Sequence, residues 1–276
     1  MYALVAVGMA LIFGTLRLVT FAHGEVFMLG AFIAYTTVSV WNGPILLGIL
    51  LAVAAAGASG VLMEFVGFRQ LRNAPHHSSL LVTIGFSIVF INLAQLIWGA
   101  ETRSFPRDLA PVHVEFMGFT FSSMQIIVYI LTISILVVLQ FTMNHTKLGR
   151  AIRATSQDHE AAYVMGVNIN RMYSFTFGLG SALGGIGGVL VGIYYNAVYP
   201  TMGAMIGLKA FSACILGGLS SIPGAFIAGV FLGVIENLSV AYVSSGYRHV
   251  FAFLILIIVL IFRPGGLFGD NAKTRA

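Results

Sequence analysis

The chain has 276 residues, of which 58% are hydrophobic and only 8% charged, with a mean hydropathy of +0.96 and a net charge of +5. Soluble domains carry about 25% charged residues, so the surplus apolar surface must face lipid and a water-soluble fold is excluded. The predicted fold class is all-α, a polytopic transmembrane helical bundle; no alternating strand pattern supports a β-barrel. The basic balance is explained by membrane topology rather than by nucleic acid. The single cysteine, Cys214, cannot form an internal disulfide and reads as a small core residue.

The opening MYALVAVGMALIFG lacks a basic leader and a small-residue cleavage site, so it reads as a membrane segment rather than a removed signal. Apolar segments follow in order at 1–16, 24–41, 44–63, 79–99, 123–142, 173–195, 205–219, 223–242 and 249–263. That gives eight or nine membrane segments, several shorter than the roughly 20 residues of a full crossing. Arg17, Arg69 and Arg72, then Lys147, Arg150, Arg153 and Arg171, then Arg263, Lys273 and Arg275 mark segments that fall on one side. By the positive-inside rule this side is cytoplasmic, with the 143–172 loop and the C-terminus inside. The 100–122 loop, where Arg103 and Arg107 are offset by Glu101, Asp108 and Glu115, faces outward.

Between the first two segments, TFAHGE at 20–25 places Thr20, His23, Gly24 and Glu25 at a helix start. A helix from Glu25 to Trp41 would rise only about 25 Å, short of a hydrocarbon core of about 30 Å, so the break is expected below the membrane surface. Glu25 in the first turn suits the helix dipole. Three readings stay open: a polar cap at the cytoplasmic interface, a wall of the transport path, or direct substrate contact. The pentapeptide GAFIA recurs at 30–34 and 224–228, each copy after a polar break. Paired broken segments are a pointer to a repeat-built transporter. Asn92 and Gln95 place polar groups inside 79–99 and face either the path or a partner.

The longest polar interruption, KLGRAIRATSQDHEAAYVMGVNINRMYSF at 147–175, has helical apolar spacing and a turn at Gly166. It is predicted to form one or two amphipathic helices outside the membrane, either as a basic surface loop or as an arm that docks another protein. In 177–192, Gly180, Gly184, Gly188 and Gly192 fall every four residues, a small-residue ladder for close helix packing. It lacks the strand context of a phosphate loop, and no GxxxxGK[ST] occurs anywhere in the chain. The LGGLSSIPGAFIAG break at 216–229, with Ser221 and Pro223, is either a tight interhelical turn or a half-helix pair lining the path. Glu236 lies inside the next apolar segment, facing either the path or a partner. The histidines have no zinc-cage spacing, and no serine, histidine and aspartate set can be defended, so no metal and no catalytic residue is assigned.

EAAYVMG at 160–166 matches the E-A-A-x-x-x-G coupling signature of bacterial ABC importer permeases, although the I-x-L-P continuation is replaced by VNINRMY. With TFAHGEVFMLGAF, LGRAIRA, KAFSACILGGLSSIPGAFIAG and FRPGGLFG, the whole chain resembles the LivH-type permeases of branched-chain amino acid ABC transporters. The resemblance implies a single transmembrane permease domain over 1–276 with a coupling-helix region at 143–172, in the bacterial inner membrane. It also implies residues ahead of Met1 that complete the first helix. ATPase coupling would rest on Arg150, Arg153, Glu160, Ala161, Ala162 and Gly166. The implied partners are a second, LivM-like permease, two cytoplasmic ATP-binding subunits (LivG- and LivF-like), a periplasmic substrate-binding protein and membrane lipid. ATP and magnesium would be bound by the ATPases, and no cofactor by this chain. The implied activity is ATP-driven import of leucine, isoleucine or valine by alternating access. Within the class, urea, short amides or small aromatic acids are alternatives. A proton- or sodium-coupled carrier using His23, Glu25 and Glu236 is the rival from a different class.

Overall fold

The structure, a computed structural model, describes residues 1–71, 76–105, 113–116, 119–263 and 265–268. Arg72, Arg107, Asp108, Lys273 and Arg275 of the charge pattern lie outside the described residues. Nine apolar helices are present among the described residues: α1 (Tyr2–Leu16), α2 (His23–Tyr35), α3 (Ile45–Met63), α4 (His76–Trp98), α5 (Ser123–His145), α8 (Ile169–Tyr195), α9 (Met202–Gly217), α10 (Ile222–Tyr242) and α11 (Arg248–Phe262). Two short polar helices, α6 (Lys147–Gln157) and α7 (His159–Val164), lie between α5 and α8. Five stretches are long and apolar enough to cross a membrane: Ile45–Leu71, Ser78–Trp98, Ile126–His145, Ile169–Tyr195 and Ile222–Tyr242. The others are shorter, and α2 and α3 run on into π-helical turns at Thr36–Val40 and Glu64–Phe68. At the first of these, the Thr36 and Thr37 hydroxyls donate to the carbonyls of Phe32 and Ile33, both at 2.8 Å, and loosen the regular ladder.

One departure from the sequence reading lies in the 100–122 loop, where β1 (His113–Phe116) and β2 (Phe119–Ser122) pair antiparallel. Val, Phe and Thr dominate this stretch and favour extended backbone. The strands are too short to have been separable from loop by periodicity.

Helix α8 is the centre of the bundle, with α1, α2 and α3 packed around it. Its glycines explain why. A methyl group at Gly188 would collide with the carbonyl of Phe27, one at Gly180 would come within 2.7 Å of the Gly8 carbonyl, and Gly185 lies against Ala52 and Ala56. Gly184 faces His23, and Gly192 faces Val198 and Phe105. Small residues let backbones approach where lipid supplies no hydrophobic drive for helix association. Helices α3, α4, α5, α10 and α11 carry most of the exposed apolar side chains, among them Leu81, Leu96, Ile130, Val138 and Phe262.

The connections sort into two ends. At one end, Arg103 and Val198 exchange backbone hydrogen bonds of 2.8 Å, the Asn196 side chain accepts from the Phe105 amide, and the Trp98 indole donates to Thr36. At the other, the Gly14 end of α1 meets Ser220, and Leu267 and Phe268 donate to the carbonyls of Leu216 and Gly217. The last pair satisfies carbonyls that α9 leaves open at its C-terminus. The α6–α7 arm shares this second end, with α6 packed on α1 and α5.

Candidate translocation wall and coupling arm

Helix α2 begins in the middle of the bundle, not at its surface. His23, its first residue, lies beside Gly8 and Gly184, each about halfway along its own helix. From Gly8 to Leu16 the descent is about 12 Å. The chain turns at Arg17, which adopts φ 54°, and residues 17–22 climb back to that depth. Six residues can span roughly 20 Å when extended, so the return is feasible. A cap at the membrane interface is therefore not the arrangement found. Non-helical backbone at this depth is tolerated because protein surrounds it.

Polar side chains collect at this start. Thr20, His23 and Glu25 are all essentially inaccessible. Glu25 Oε1 accepts a 3.1 Å hydrogen bond from Ser87 on α4, while Oε2 rests against Gly203 in the first turn of α9 with no hydrogen-bond partner among the described residues. Among the same residues the Thr20 hydroxyl has no partner either, and the His23 ring nitrogens make no bond of standard geometry, the Val5 backbone being the polar group beside them. Gly24 and Gly203 meet backbone to backbone, so the first turns of α2 and α9 converge on the Glu25 carboxylate. Both helix ends carry positive partial charge, which suits that acid.

Glu236 is buried within the bundle, its side chain 1% exposed. Its Oε1 receives Lys209 Nζ at 2.7 Å and the Tyr2 hydroxyl at 3.1 Å, and Lys209 also donates to that hydroxyl at 3.0 Å. The cluster joins α1, α9 and α10. An acid inside an apolar segment needs such compensation, and the bundle supplies it internally. Ser221 and Pro223 likewise belong to a helix start rather than to a half-helix pair. The Ser221 hydroxyl accepts from the Gly224 amide at 3.1 Å, Pro223 fills the first turn of α10, and Gly218 turns the chain at φ 101°. Asn92 is exposed on α4 and donates to the Ile88 carbonyl of its own helix at 2.7 Å. The GAFIA copies occupy different positions, Gly30 midway along α2 and Gly224 in the first turn of α10.

The polar arm is built by caps. Thr146 accepts from the Gly149 amide at 3.1 Å to start α6, and Asp158 Oδ1 accepts from the amides of Glu160 and Ala161, both at 2.9 Å, to start α7. Asn168 starts α8 by accepting from the Arg171 amide at 3.1 Å. Arg153 binds the Met143 carbonyl and Asn144 Oδ1 at the end of α5, fastening α6 to the bundle. Arg150 is exposed. Ala162 is buried and anchors α7, whereas Glu160, Ala161 and Gly166 are exposed. Gly166 takes φ 85° and ends the helix in open space. Beside it Tyr163, Val164 and Met165 are 71%, 83% and 83% exposed. Three consecutive apolar side chains held outward on a capped helix form a contact surface.

Four polar partners were not singled out by the sequence reading. Lys209 and Ser87 are the groups that bind Glu236 and Glu25, and Asp158 is the cap of α7. Glu64, fully buried in the π turn after α3, accepts a 2.6 Å hydrogen bond from the Ser174 hydroxyl. Lys209 carried a usable signal, as a lone cation in an apolar segment 27 residues before a lone acid. Ser87 and Glu64 carried none. No cluster of three or more metal-ligating side chains occurs among the described residues.

Residues 1–260 match the family described as the permease component of branched-chain amino acid transport systems. The high-affinity branched-chain amino acid transport system permease protein LivH of Escherichia coli K12 is 35% identical, covering 97% of this chain and 91% of that protein. The permease protein BraD of a Pseudomonas aeruginosa transport system of the same description is 34% identical over the same shares. The ribose import permease RbsC of Escherichia coli K12 is 31% identical over 129 residues, 44% of this chain and 40% of that protein. No solved structure matches the chain. The chain is an integral membrane protein and belongs to the family of permease components of branched-chain amino acid transport systems.

Proposed function

We propose that the chain is the membrane subunit of an ABC importer and moves leucine, isoleucine, valine or similar hydrophobic amino acids by ATP-driven alternating access. The observation that carries the reading is the exposed Tyr163–Val164–Met165 tip on a capped helix beside Glu160 and Gly166. A carrier driven by an ion gradient has no use for such an arm, and the His23, Glu25 and Glu236 relay of that rival is split, since Glu236 is engaged with Lys209. The similarity to LivH and BraD supports the substrate class.

In this reading the end bearing Lys147, Arg150, Arg153 and Arg171 is cytoplasmic. The partners are a second, LivM-like permease, LivG- and LivF-like ATPases that bind ATP and magnesium, and a periplasmic binding protein that supplies most of the selectivity. Closure of the ATPases pushes the α6–α7 arm. Because α6 rests on α1 and α5, the push reaches the helix starts around Glu25. Uptake of labelled leucine into proteoliposomes tests this. The assembled complex should require ATP, and the chain alone should be inactive under proton or sodium gradients. Gradient-driven uptake by the isolated chain would overturn the reading.

A further inference from the structure

A groove of about 600 Å³ opens between α3 and the start of α8, at the end of the bundle that carries the α6–α7 arm. That volume lies within the roughly 300–1,000 Å³ of small-molecule sites. Its polar rim holds Arg69, Arg171 and Ser174, and its apolar length holds Gly57, Val61 and Leu179. The two parts are chemically segregated along the helix axes. The arginines are at the membrane edge, on the turn after α3 and in the first turn of α8, and the apolar residues are one to three turns further in. Neither arginine has a carboxylate within 4 Å among the described residues. Arg69 lies over the exposed Phe65 ring at 5.4 Å. Glu64 is buried, accepts a hydrogen bond from Ser174, and does not line the groove.

The floor is smooth. Gly57 and Gly178 face each other where α3 crosses α8, a methyl group at Gly57 reaching within 3.4 Å of the Gly178 carbonyl. An unbranched chain can lie along such a surface. Two unpaired cations above an apolar trough match a lipid with an anionic head. Arg also binds phosphate oxygens in a fork geometry. We propose that this groove is a binding site for one anionic phospholipid, its phosphate between Arg69 and Arg171 and one acyl chain along Gly57, Val61 and Leu179. The site is independent of the transport reading and stands or falls without it.

The test uses the purified chain, delipidated in detergent and titrated separately with dioleoyl phosphatidylglycerol and dioleoyl phosphatidylcholine. Bound lipid is counted by native mass spectrometry. One phosphatidylglycerol should bind in preference to phosphatidylcholine. Arg69→Gln with Arg171→Gln should weaken it roughly thirtyfold, at about fivefold per arginine near an anionic lipid. Both residues are exposed, so the double variant should fold, and Arg69→Lys with Arg171→Lys should recover part of the affinity. Inorganic phosphate at the same concentration should not displace the lipid, because it lacks the acyl chain. Equal binding of both lipids, or unchanged phosphatidylglycerol affinity in the double variant, overturns the proposal. So does a homodimer that separates in the double variant while lipid counts stay constant, since the groove would then be a protein interface.

Discussion

Lys209 on α9 and Glu236 on α10 form a 2.7 Å ion pair with both side chains almost wholly buried, 4% and 1% exposed. Tyr2 closes the cluster from α1. Breaking such a pair by removing one partner strands a charge in a low dielectric and costs about 3–5 kcal/mol. Glu236→Ala and Lys209→Ala should each lower the thermal unfolding temperature of the detergent-solubilised protein substantially. Lys209→Met with Glu236→Leu should be milder than either single change. Additive losses in the double variant would show that the two residues are not coupled.

Crowding along α8 gives a sharper contrast. A methyl group at Gly188 meets the Phe27 carbonyl, whereas one at Gly85 on α4 meets nothing within 4 Å among the described residues. Overpacking a tight interface costs about 1–3 kcal/mol, so Gly188→Ala should destabilise the bundle. Gly85→Ala should be neutral or slightly stabilising through helix propensity. Thermal unfolding of the two variants side by side checks this, and equal shifts would remove the packing role of the ladder.

At the start of α2, His23→Ala and Glu25→Ala should slow uptake while leaving membrane insertion intact, because both side chains lie where two helix starts converge rather than in a spanning apolar face. Ser87→Ala should share the Glu25 phenotype in weaker form, since it removes the hydrogen bond to the carboxylate and leaves the acid in place. Uptake rates normalised to the amount of protein in the membrane decide the matter. Unchanged rates in all three variants would return the stretch to a passive cap.

Asp158 caps the helix that presents the arm's tip. Loss of an N-cap costs about 1 kcal/mol, too little to unfold the bundle but enough to fray a six-residue helix. Asp158→Ala should therefore reduce ATP-driven uptake with little effect on thermal stability, and Asp158→Asn should preserve most of the activity. A fall in stability matching that of the core variants would place Asp158 in the bundle's support instead.

Much of the architecture was legible in the chain. Apolar runs of 15 to 25 residues leave few alternatives in lipid, and every one of the nine segments is a helix near its expected bounds. The shortfall in length after Glu25 goes with a helix that starts inside the bundle, beside Gly8 and Gly184. Partners across helices were not legible. Ser87 reaches Glu25 only because α4 lies beside α2, and Glu236 meets Lys209 only because α9 and α10 turn back on each other at Gly218. Sequence spacing encodes neither adjacency. The strand pair at 113–116 and 119–122 was missed for a different reason: two strands of four residues give too little alternation to register.

The central claim is that a separate ATPase grips the exposed tip of α7. The most direct measurement is copurification of the ATP-binding subunits with Glu160→Arg and with Gly166→Trp, alongside ATP-driven uptake. Both positions are exposed, and a Cβ added at Gly166 meets nothing within 4 Å among the described residues, so the strain of a side chain at φ 85° stays at the end of α7 and the membrane bundle should remain intact. The account predicts that both variants reach the membrane at normal levels but lose the ATPases and ATP-driven uptake together. Full retention of the ATPases with undiminished uptake in both variants would contradict it.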